Sequence, residues 1–264
     1  MRVFSQEGRR FALIGAIVPQ VVLDFREGFG SESRETRDID VVAAVNSWDE
    51  FTRLRERLEQ EGFRQGKVAH ELWFGDDVRI DLIPFGPSLV EHDQLSWPYG
   101  DSVMTVCGFE EALECARDQE IAPDLMLPIV SIPGLILTKI VAYMDRSAER
   151  ARDLIDILYC FEQYEQTAGE SRRFVYAGTQ VEGGAITYEE AGAFLLGIEV
   201  ATLAKPSSRD IVRRFLDGIP DEFAPAVSQI LSEEKRLVDS DDRRRVLYRL
   251  FKVFGAGIHQ TGNR

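Results

Sequence analysis

Three aspartates in two strand-like segments have the spacing of residues that hold divalent cations. Asp38 and Asp40 stand two apart in "DIDVVAAV", so on a strand they share one face, about 6.5 to 7 Å apart. Asp81 lies inside a second apolar segment, "VRIDLIPF", where an acid normally needs a partner. Paired like charges at the mouth of a buried strand are unfavourable unless a cation separates them. We therefore predict that the three carboxylates hold two Mg²⁺ ions, as in in-line phosphoryl and nucleotidyl transfer.

A less specific interpretation of the same acids stays open. The chain contains 45 acidic residues, so an Asp-x-Asp pair also arises by chance, usually as solvated loop acids. Two observations would contradict the metal role. One is an Asp81 side chain directed away from the Asp38 and Asp40 pair, and the other is a basic side chain placed permanently among the three.

Around these acids, the first 130 residues alternate between strand-like and helix-like segments. "RRFALIG" predicts a strand that ends at Gly15, and "AIVPQVVLDF" predicts a helix with Pro19 in its first turn. "SWDEFTRLRERLEQEG" predicts a helix that Ser47 caps, with Glu50 three residues later and Gly62 at its end. "KVAHELWFG" and "VRIDLIPF" flank two aspartates and predict a hairpin.

After about residue 130, the hydrophobic pattern of the sequence becomes that of amphipathic helices. Six segments show this pattern, and a glycine-containing stretch between the second and third is predicted to be irregular. The fold class is therefore α/β (α+β): a mixed β-sheet N-terminal domain over residues 1–130, followed by a helical C-terminal domain over residues 131–264.

In their order, these segments resemble the nucleotidyltransferase superfamily, and within it the AbiEii-type toxin-like branch. The likeness spans about residues 10–160 and rests on the glycine turn with "RETRDID", then "RIDLI", "LTKIVAYMDR" and "ARDLIDI". It implies a nucleotidyltransferase-like fold, and it places five residues in the active site: Asp38, Asp40, Asp81, Lys139 and Asp153. It also implies contacts with a nucleoside triphosphate from Gly15, Ala16 and Lys139. Two further candidates for nucleotide binding follow from position alone: Arg146, on nearly the same helix face as Lys139, and Arg37, beside the Asp pair, for which a solvated loop is an equal alternative.

Lys139 has two interpretations on the residues alone. It stands in the nearly apolar "PGLILTKIVAYMDR", where a lysine either extends from the edge of the core to solvent or supplies a point charge for phosphates. Asp153 and Asp156 share a helix face and are expected to pair with Arg146, Arg152 or Lys139. The alternative to a catalytic role is a structural cluster of ion pairs between two helices.

Composition narrows the function classes. A formal net charge of −14 disfavours broad, charge-driven binding of nucleic acid, although "RRRVLYRLFK" near the C-terminus is a local candidate for an RNA contact. Three cysteines without a CxxC pair indicate reduced thiols in a cytoplasmic protein. Neither a signal peptide nor a membrane span is expected.

Three functional hypotheses remain. The first is an Mg²⁺-dependent nucleotidyltransferase that transfers NMP to a hydroxyl of an RNA such as tRNA, or of a protein, in the setting of a toxin with a cognate antitoxin. The second is an antibiotic (aminoglycoside) nucleotidyltransferase. The third is a non-catalytic binding module, because many superfamily members have Gly-Ser where this chain has Gly15 and Ala16.

Overall fold

The computed structural model describes residues 3–4, 8–24, 38–98, 102–167, 177–234 and 241–260. The chain divides into two compact units, Met1–Val22 with Arg34–Ser131 and Leu23–Ser33 with Ile132–Arg264. The assignment of residues 1–130 as a catalytic domain stays a prediction. Arg37 lies outside the described residues.

The first unit is built on strands. Its strands are β1 (Phe11–Ile14), β2 (Asp38–Ala44), β3 (Phe63–Gln65), β4 (Glu71–Phe74), β5 (Val78–Phe85), β6 (Val90–Glu91), β7 (Gln94–Ser96), β8 (Val103–Thr105), β9 (Arg117–Ala122) and β10 (Leu125–Ile129). Its helices are α1 (Ile17–Pro19), α2 (Trp48–Gln60) and α3 (Phe109–Cys115). A π-helical turn, Gln20–Asp24, follows α1.

Seven strands form one mixed sheet in the order β3-β4-β5-β2-β1-β10-β9, and β6, β7 and β8 form a small second sheet. β2 runs parallel to β5 and antiparallel to β1. β2 and β5 are both interior strands, and Val41, Val42 and Leu82 on them have no exposed surface. Val41 and Val42 are consecutive and point to opposite faces, so β2 is covered on both faces of the sheet.

Local signals set the elements beside the acids. The hydroxyl of Ser47 accepts a hydrogen bond from the backbone N–H of Glu50 at 3.2 Å, which confirms the predicted cap. The Glu50 carboxylate accepts from the backbone N–H of Asn46 at 2.8 Å instead of the N–H of Ser47 that a capping box uses. The predicted hairpin is confirmed as β4 and β5, with Phe74 opposite Val78.

The second unit is helical. Its helices are α4 (Ile132–Asp145), α5 (Ala151–Thr167), α6 (Gly178–Glu182), α7 (Ala191–Leu203), α8 (Pro206–Asp217), α9 (Pro225–Glu233) and α10 (Asp241–Gln260). The six helices predicted from periodicity are all present, and α6 falls in the stretch predicted to be irregular. The fold class, a mixed sheet followed by helices, is confirmed.

Two glycines let α7 and α10 cross closely. A Cβ atom added to Gly197 would lie 2.2 Å from the carbonyl oxygen of Phe254, and one added to Gly257 would lie 2.2 Å from that of Phe194. The backbones of these helices therefore touch where larger residues would separate them. Among the described residues, no helix has the length and apolar composition that crossing a bilayer requires.

Candidate active site

The predicted acids of the first unit come together on neighbouring strands. Asp40 on β2 lies directly opposite Asp81 on β5, and Asp81 in turn lies opposite Glu71 on β4. Residues in register point to the same face of a sheet, so these three carboxylates form one row across β2, β5 and β4. Asp38 precedes Asp40 by two residues and shares this face. The first condition for a metal role, Asp81 facing the pair, is therefore met.

A basic side chain, Arg79, also lies in this group. Its register partner is Asp38, and its Nη2 lies 2.7 Å from Asp38 Oδ2 and 3.3 Å from Asp81 Oδ2. Arg79 thus lies between two of the acids, in the position where the prediction places a metal ion. The metal role therefore depends on whether Arg79 stays permanently in this position.

Burial shifts the protonation of the groups around Asp81. Burial raises the pKa of the Asp81 carboxyl, and the charges of Arg79 and His70 oppose this shift. Burial also lowers the pKa of His70, which the charges of Asp81 and Glu71 oppose. The His70 ring lies 5.3 Å from the Trp97 ring, measured between centroids. Asp81 is thus a carboxyl whose ionised form depends on a nearby positive charge.

Gly15 makes room for the Asp40 carboxylate. It follows β1 with φ +78°, a conformation that favours glycine. A Cβ atom at this position would lie 1.9 Å from Asp40 Oδ2. The turn at Gly15 and Ala16 is therefore one wall of the acid row, and α1, which begins at Ile17, contains Pro19 in its first turn as predicted.

The acids suit Mg²⁺ as a donor set, since this ion prefers carboxylate oxygens. The acids also attract positive charge: two of them, Asp38 and Asp81, hold the Arg79 guanidinium between them. Across the part of the chain that the structure describes, no three His, Cys, Asp or Glu side chains are gathered around a single point that could hold a metal ion. In the described residues, Asp38 and Asp81 are joined by Arg79 rather than by a shared ligand position, and the metal role of the three acids stays a prediction.

The second unit holds the other predicted site residues in one buried cluster. The ammonium of Lys139 on α4 donates to Asp153 Oδ1 at 2.7 Å and to Asp156 Oδ2 at 2.6 Å, both on α5. All three residues are buried. Burial acts to lower the pKa of Lys139, but the Asp156 and Asp153 carboxylates outweigh it and the pKa is raised. Lys139 therefore does not extend to solvent, and it is charged.

This cluster has one more acid than base, and one of its oxygens lacks a hydrogen bond. Asp153 Oδ2 is buried without a hydrogen-bond partner, and Arg150 Nη1 lies 3.9 Å from it. Arg146 pairs instead with Asp145 and, at the limit of an ion pair, with Glu149. Among the partners considered for Asp153 and Asp156, Lys139 is the one that forms hydrogen bonds with both.

The basic segment near the C-terminus lies on α10 and is largely paired with acids. Arg243 pairs with Glu234 and Glu162, and Arg249 pairs with Glu190. Pairing of this kind removes much of the unbalanced positive charge that drives RNA binding. The RNA contact predicted for this helix stays a prediction.

Sequence reasoning missed Arg79, Glu71 and His70. Arg79 stands two residues before Asp81 in "VRIDL", so strand alternation alone places both on one face. Glu71 was detectable from the hairpin, whose pairing puts it opposite Asp81. His70 was passed over because the three histidines show no metal-ligand spacing, although it neighbours this row.

Comparison with known proteins identifies a family for this chain. The family model described as the nucleotidyl transferase AbiEii toxin of a type IV toxin–antitoxin system matches residues 75–233. This range contains Asp81, Lys139 and Asp153, and it begins after Asp38 and Asp40. No curated protein matches the chain.

Two solved structures are similar at low identity. The antibiotic-resistance factor ANT(2'')-Ia, in a solution structure, is 13% identical over 70% of this chain and 93% of its own, with a TM-score of 0.34. The CD-NTase CdnG of Bradyrhizobium diazoefficiens, solved in complex with GTP, is 13% identical over 98% of this chain and 81% of its own, with a TM-score of 0.27. The family match covers more than half of the sequence, and the chain therefore belongs to the AbiEii nucleotidyltransferase toxin family.

Proposed function

We propose that this nucleotidyltransferase uses Mg²⁺ and a nucleoside triphosphate at the acid row of the first unit and transfers NMP to an acceptor hydroxyl. The observation that carries the proposal is the register of β2 with β5, which sets Asp40 opposite Asp81 with Asp38 on the same face. Three carboxylates on adjacent interior strands form a rigid set of hard oxygen donors.

In this proposal, Asp38 and Asp40 bind the metal that holds the triphosphate, and Asp81 completes the second metal position. Two Mg²⁺ ions there would neutralise the phosphates and align attack and departure. Asp81 also helps to deprotonate the acceptor hydroxyl. The acceptor oxygen forms a bond with the α-phosphorus, the bond to the bridging oxygen breaks, and pyrophosphate leaves.

The proposal assigns phosphate binding to Lys139, with Asp153 and Asp156 holding it in place. An ammonium group has three donors, and the two hydrogen bonds with the aspartates use two of them. Its charge is maintained by the same aspartates. Contacts of the nucleotide with Gly15, Ala16, Arg37 and Arg146 belong to the proposal as well.

The acceptor proposed first is a hydroxyl of an RNA such as tRNA, or of a protein, in a cytoplasmic toxin whose partner is a cognate antitoxin. The family description supports a toxin role. A second candidate is an amino sugar, as in antibiotic nucleotidylation. The net charge of −14 and the pairing of α10 cations with acids favour a cationic acceptor over a polyanion.

Two experiments test the proposal. Calorimetry with Mg²⁺ and each NTP should show binding by the parent and loss of binding by Asp40→Ala. Asp77→Ala, which removes an exposed acid from the turn between β4 and β5, should bind as the parent does. Equal binding by the parent and Asp40→Ala would refute metal-bridged triphosphate at this site.

The acceptor is identified by labelling with α-³²P-NTP against tRNA, total protein and aminoglycosides in parallel. Label in tRNA or protein supports the toxin assignment, and label in the aminoglycoside alone supports the second candidate. If nucleotide binds but no acceptor is labelled with any NTP, the chain is a binding module that retains the fold.

A further inference from the structure

We propose that Arg79 is an exchangeable positioning residue of the acid row: it holds Asp38 and Asp81 in place and gives up this position to the incoming divalent cation. The inference rests on the proposed function, because it assumes that a cation binds these acids. It goes beyond that function by assigning a role to a residue outside the predicted site. It also reconciles the basic side chain among the carboxylates with the metal role.

The contacts of Arg79 show why it can hold the acids. A single guanidinium nitrogen, Nη2, approaches both Asp38 Oδ2 at 2.7 Å and Asp81 Oδ2 at 3.3 Å. These acids lie on different strands, and Asp40 lies directly opposite Asp81. Like charges placed opposite each other on paired strands repel. The guanidinium therefore supplies the positive charge that lets these carboxylates lie beside one another.

The same contacts show why Arg79 can leave. The bond with Asp81 is long, and the Nε atom of Arg79 is buried without a hydrogen-bond partner, which disfavours the present placement. The side chain is 33% exposed, so a route to solvent is open. An arginine held permanently between carboxylates would normally use the parallel donors of its fork on one of them.

Lys139 provides the contrast within the same chain. Its ammonium makes two short hydrogen bonds, at 2.7 and 2.6 Å, and its side chain is 10% exposed. A cation held in that way is part of the folded structure. Arg79 has one contact that is equally short, with Asp38 at 2.7 Å, but its second contact, with Asp81, is longer at 3.3 Å. It also has an unpartnered donor and about three times the exposure of Lys139.

The inference predicts that removal of a side chain increases the affinity for a metal ion. If Arg79 and a divalent cation compete for Asp38 and Asp81, then removing the arginine strengthens the binding of the metal alone. Damage to the fold, or loss of a purely structural contact, would weaken metal binding or leave it unchanged. A gain in affinity therefore separates exchange from a structural role.

The experiment measures Mn²⁺ binding to the purified full chain without nucleotide, from the electron paramagnetic resonance signal of the free ion at fixed pH and low salt. Arg79→Met should bind Mn²⁺ about tenfold more tightly than the parent, the change expected when one competing ion pair is removed. Arg79→Lys, which keeps the charge but loses the fork, should lie between them. This milder variant carries the test if Arg79→Met does not fold.

The matched control is Arg64→Met on β3. Arg64 lies in the same sheet and pairs with the exposed Asp76 at 2.8 Å, so its removal changes the net charge equally. Its Mn²⁺ affinity should equal that of the parent, and an increase as large as that of Arg79→Met would mean that net charge alone explains the effect and would overturn the inference.

The remaining outcomes separate the inference from the proposed function. If the parent binds Mn²⁺ and Asp40→Asn abolishes this binding, but Arg79→Met binds no more tightly, the exchange is wrong and the metal site stands. If neither the parent nor the Arg79 variants bind Mn²⁺ in a way that depends on Asp40, both the metal site and the exchange are wrong.

Discussion

Replacement of Gly15 by alanine should disable the acid row from a position that carries no functional group. The new Cβ atom would lie 1.9 Å from Asp40 Oδ2, whereas Cβ atoms in proteins essentially never lie closer than about 3.0 Å to such a neighbour. Asp40 must therefore move by about 1.1 Å or more. A displacement of about 1 Å in a reacting group can lower the rate about 10²-fold, so Gly15→Ala should resemble Asp40→Ala in nucleotide binding and transfer.

The stability effect has two parts that can be measured separately. Alanine at φ +78° costs roughly 1 to 2 kcal/mol through the left-handed backbone alone, and overpacking against Asp40 adds about 1 to 3 kcal/mol. Gly75 has φ +64° with nothing within 4 Å of an added Cβ atom. Gly75→Ala should therefore show the backbone cost without loss of nucleotide binding.

The assay is urea denaturation of Gly15→Ala, Gly75→Ala and Gly15→Ala/Asp40→Ala, with calorimetric titration of Mg²⁺ and NTP. In the double variant, the carboxylate that collides with the new methyl group is absent and only the Cβ atom of residue 40 remains, 3.0 Å away, so most of the overpacking part of the loss should disappear. Unimpaired nucleotide binding by Gly15→Ala would refute the argument that Asp40 must stay where the structure places it.

Three further predictions concern stability, each measured as the free energy of unfolding in urea. Lys139→Met leaves two buried carboxylates without their cation and should cost about 3 to 5 kcal/mol; a loss below about 1 kcal/mol would show that the cluster is not held by this ion pair. Gly257→Ala places a methyl group against the carbonyl of Phe194 and should cost at least about 1 kcal/mol. Gly255→Ala, which meets ordinary contacts in the same helix, should be neutral or stabilising, and equal effects of the two would contradict the close crossing. Ser47→Ala removes the α2 cap and should cost about 1 kcal/mol; an unchanged stability would mean that this hydrogen bond contributes nothing.

Local chemistry made much of the fold predictable. Ser47 and Glu50 signal the start of α2, because the Ser47 hydroxyl accepts a hydrogen bond from the backbone N–H of Glu50, which has no partner within the helix. The apolar alternation around Asp81 signals a strand, and the two acids before it signal the hairpin turn. These features depend on neighbours within a few residues, so the sequence displays them directly.

The pairing of segments far apart in the chain was harder to predict from the sequence. The role of Arg79 depends on which β2 residue it faces, and that register is a pairing between two strands far apart in sequence. The choice of Lys139 as partner of Asp153 was one of three left open, because the packing of α4 on α5 decides which cation is buried. The burial that shifts the pKa of Asp81 likewise exists only in the folded sheet.

The most direct test of the acid row as a cation site is a crystal structure of the full chain with Mn²⁺ and a non-hydrolysable NTP, with the anomalous signal of Mn²⁺ used to locate the ion. The account predicts a peak in direct contact with carboxylate oxygens of Asp40 and Asp81, with the Arg79 guanidinium withdrawn from between Asp38 and Asp81. A nucleotide bound without Mn²⁺ at these acids, or an Arg79 side chain still bridging Asp38 and Asp81, would contradict it.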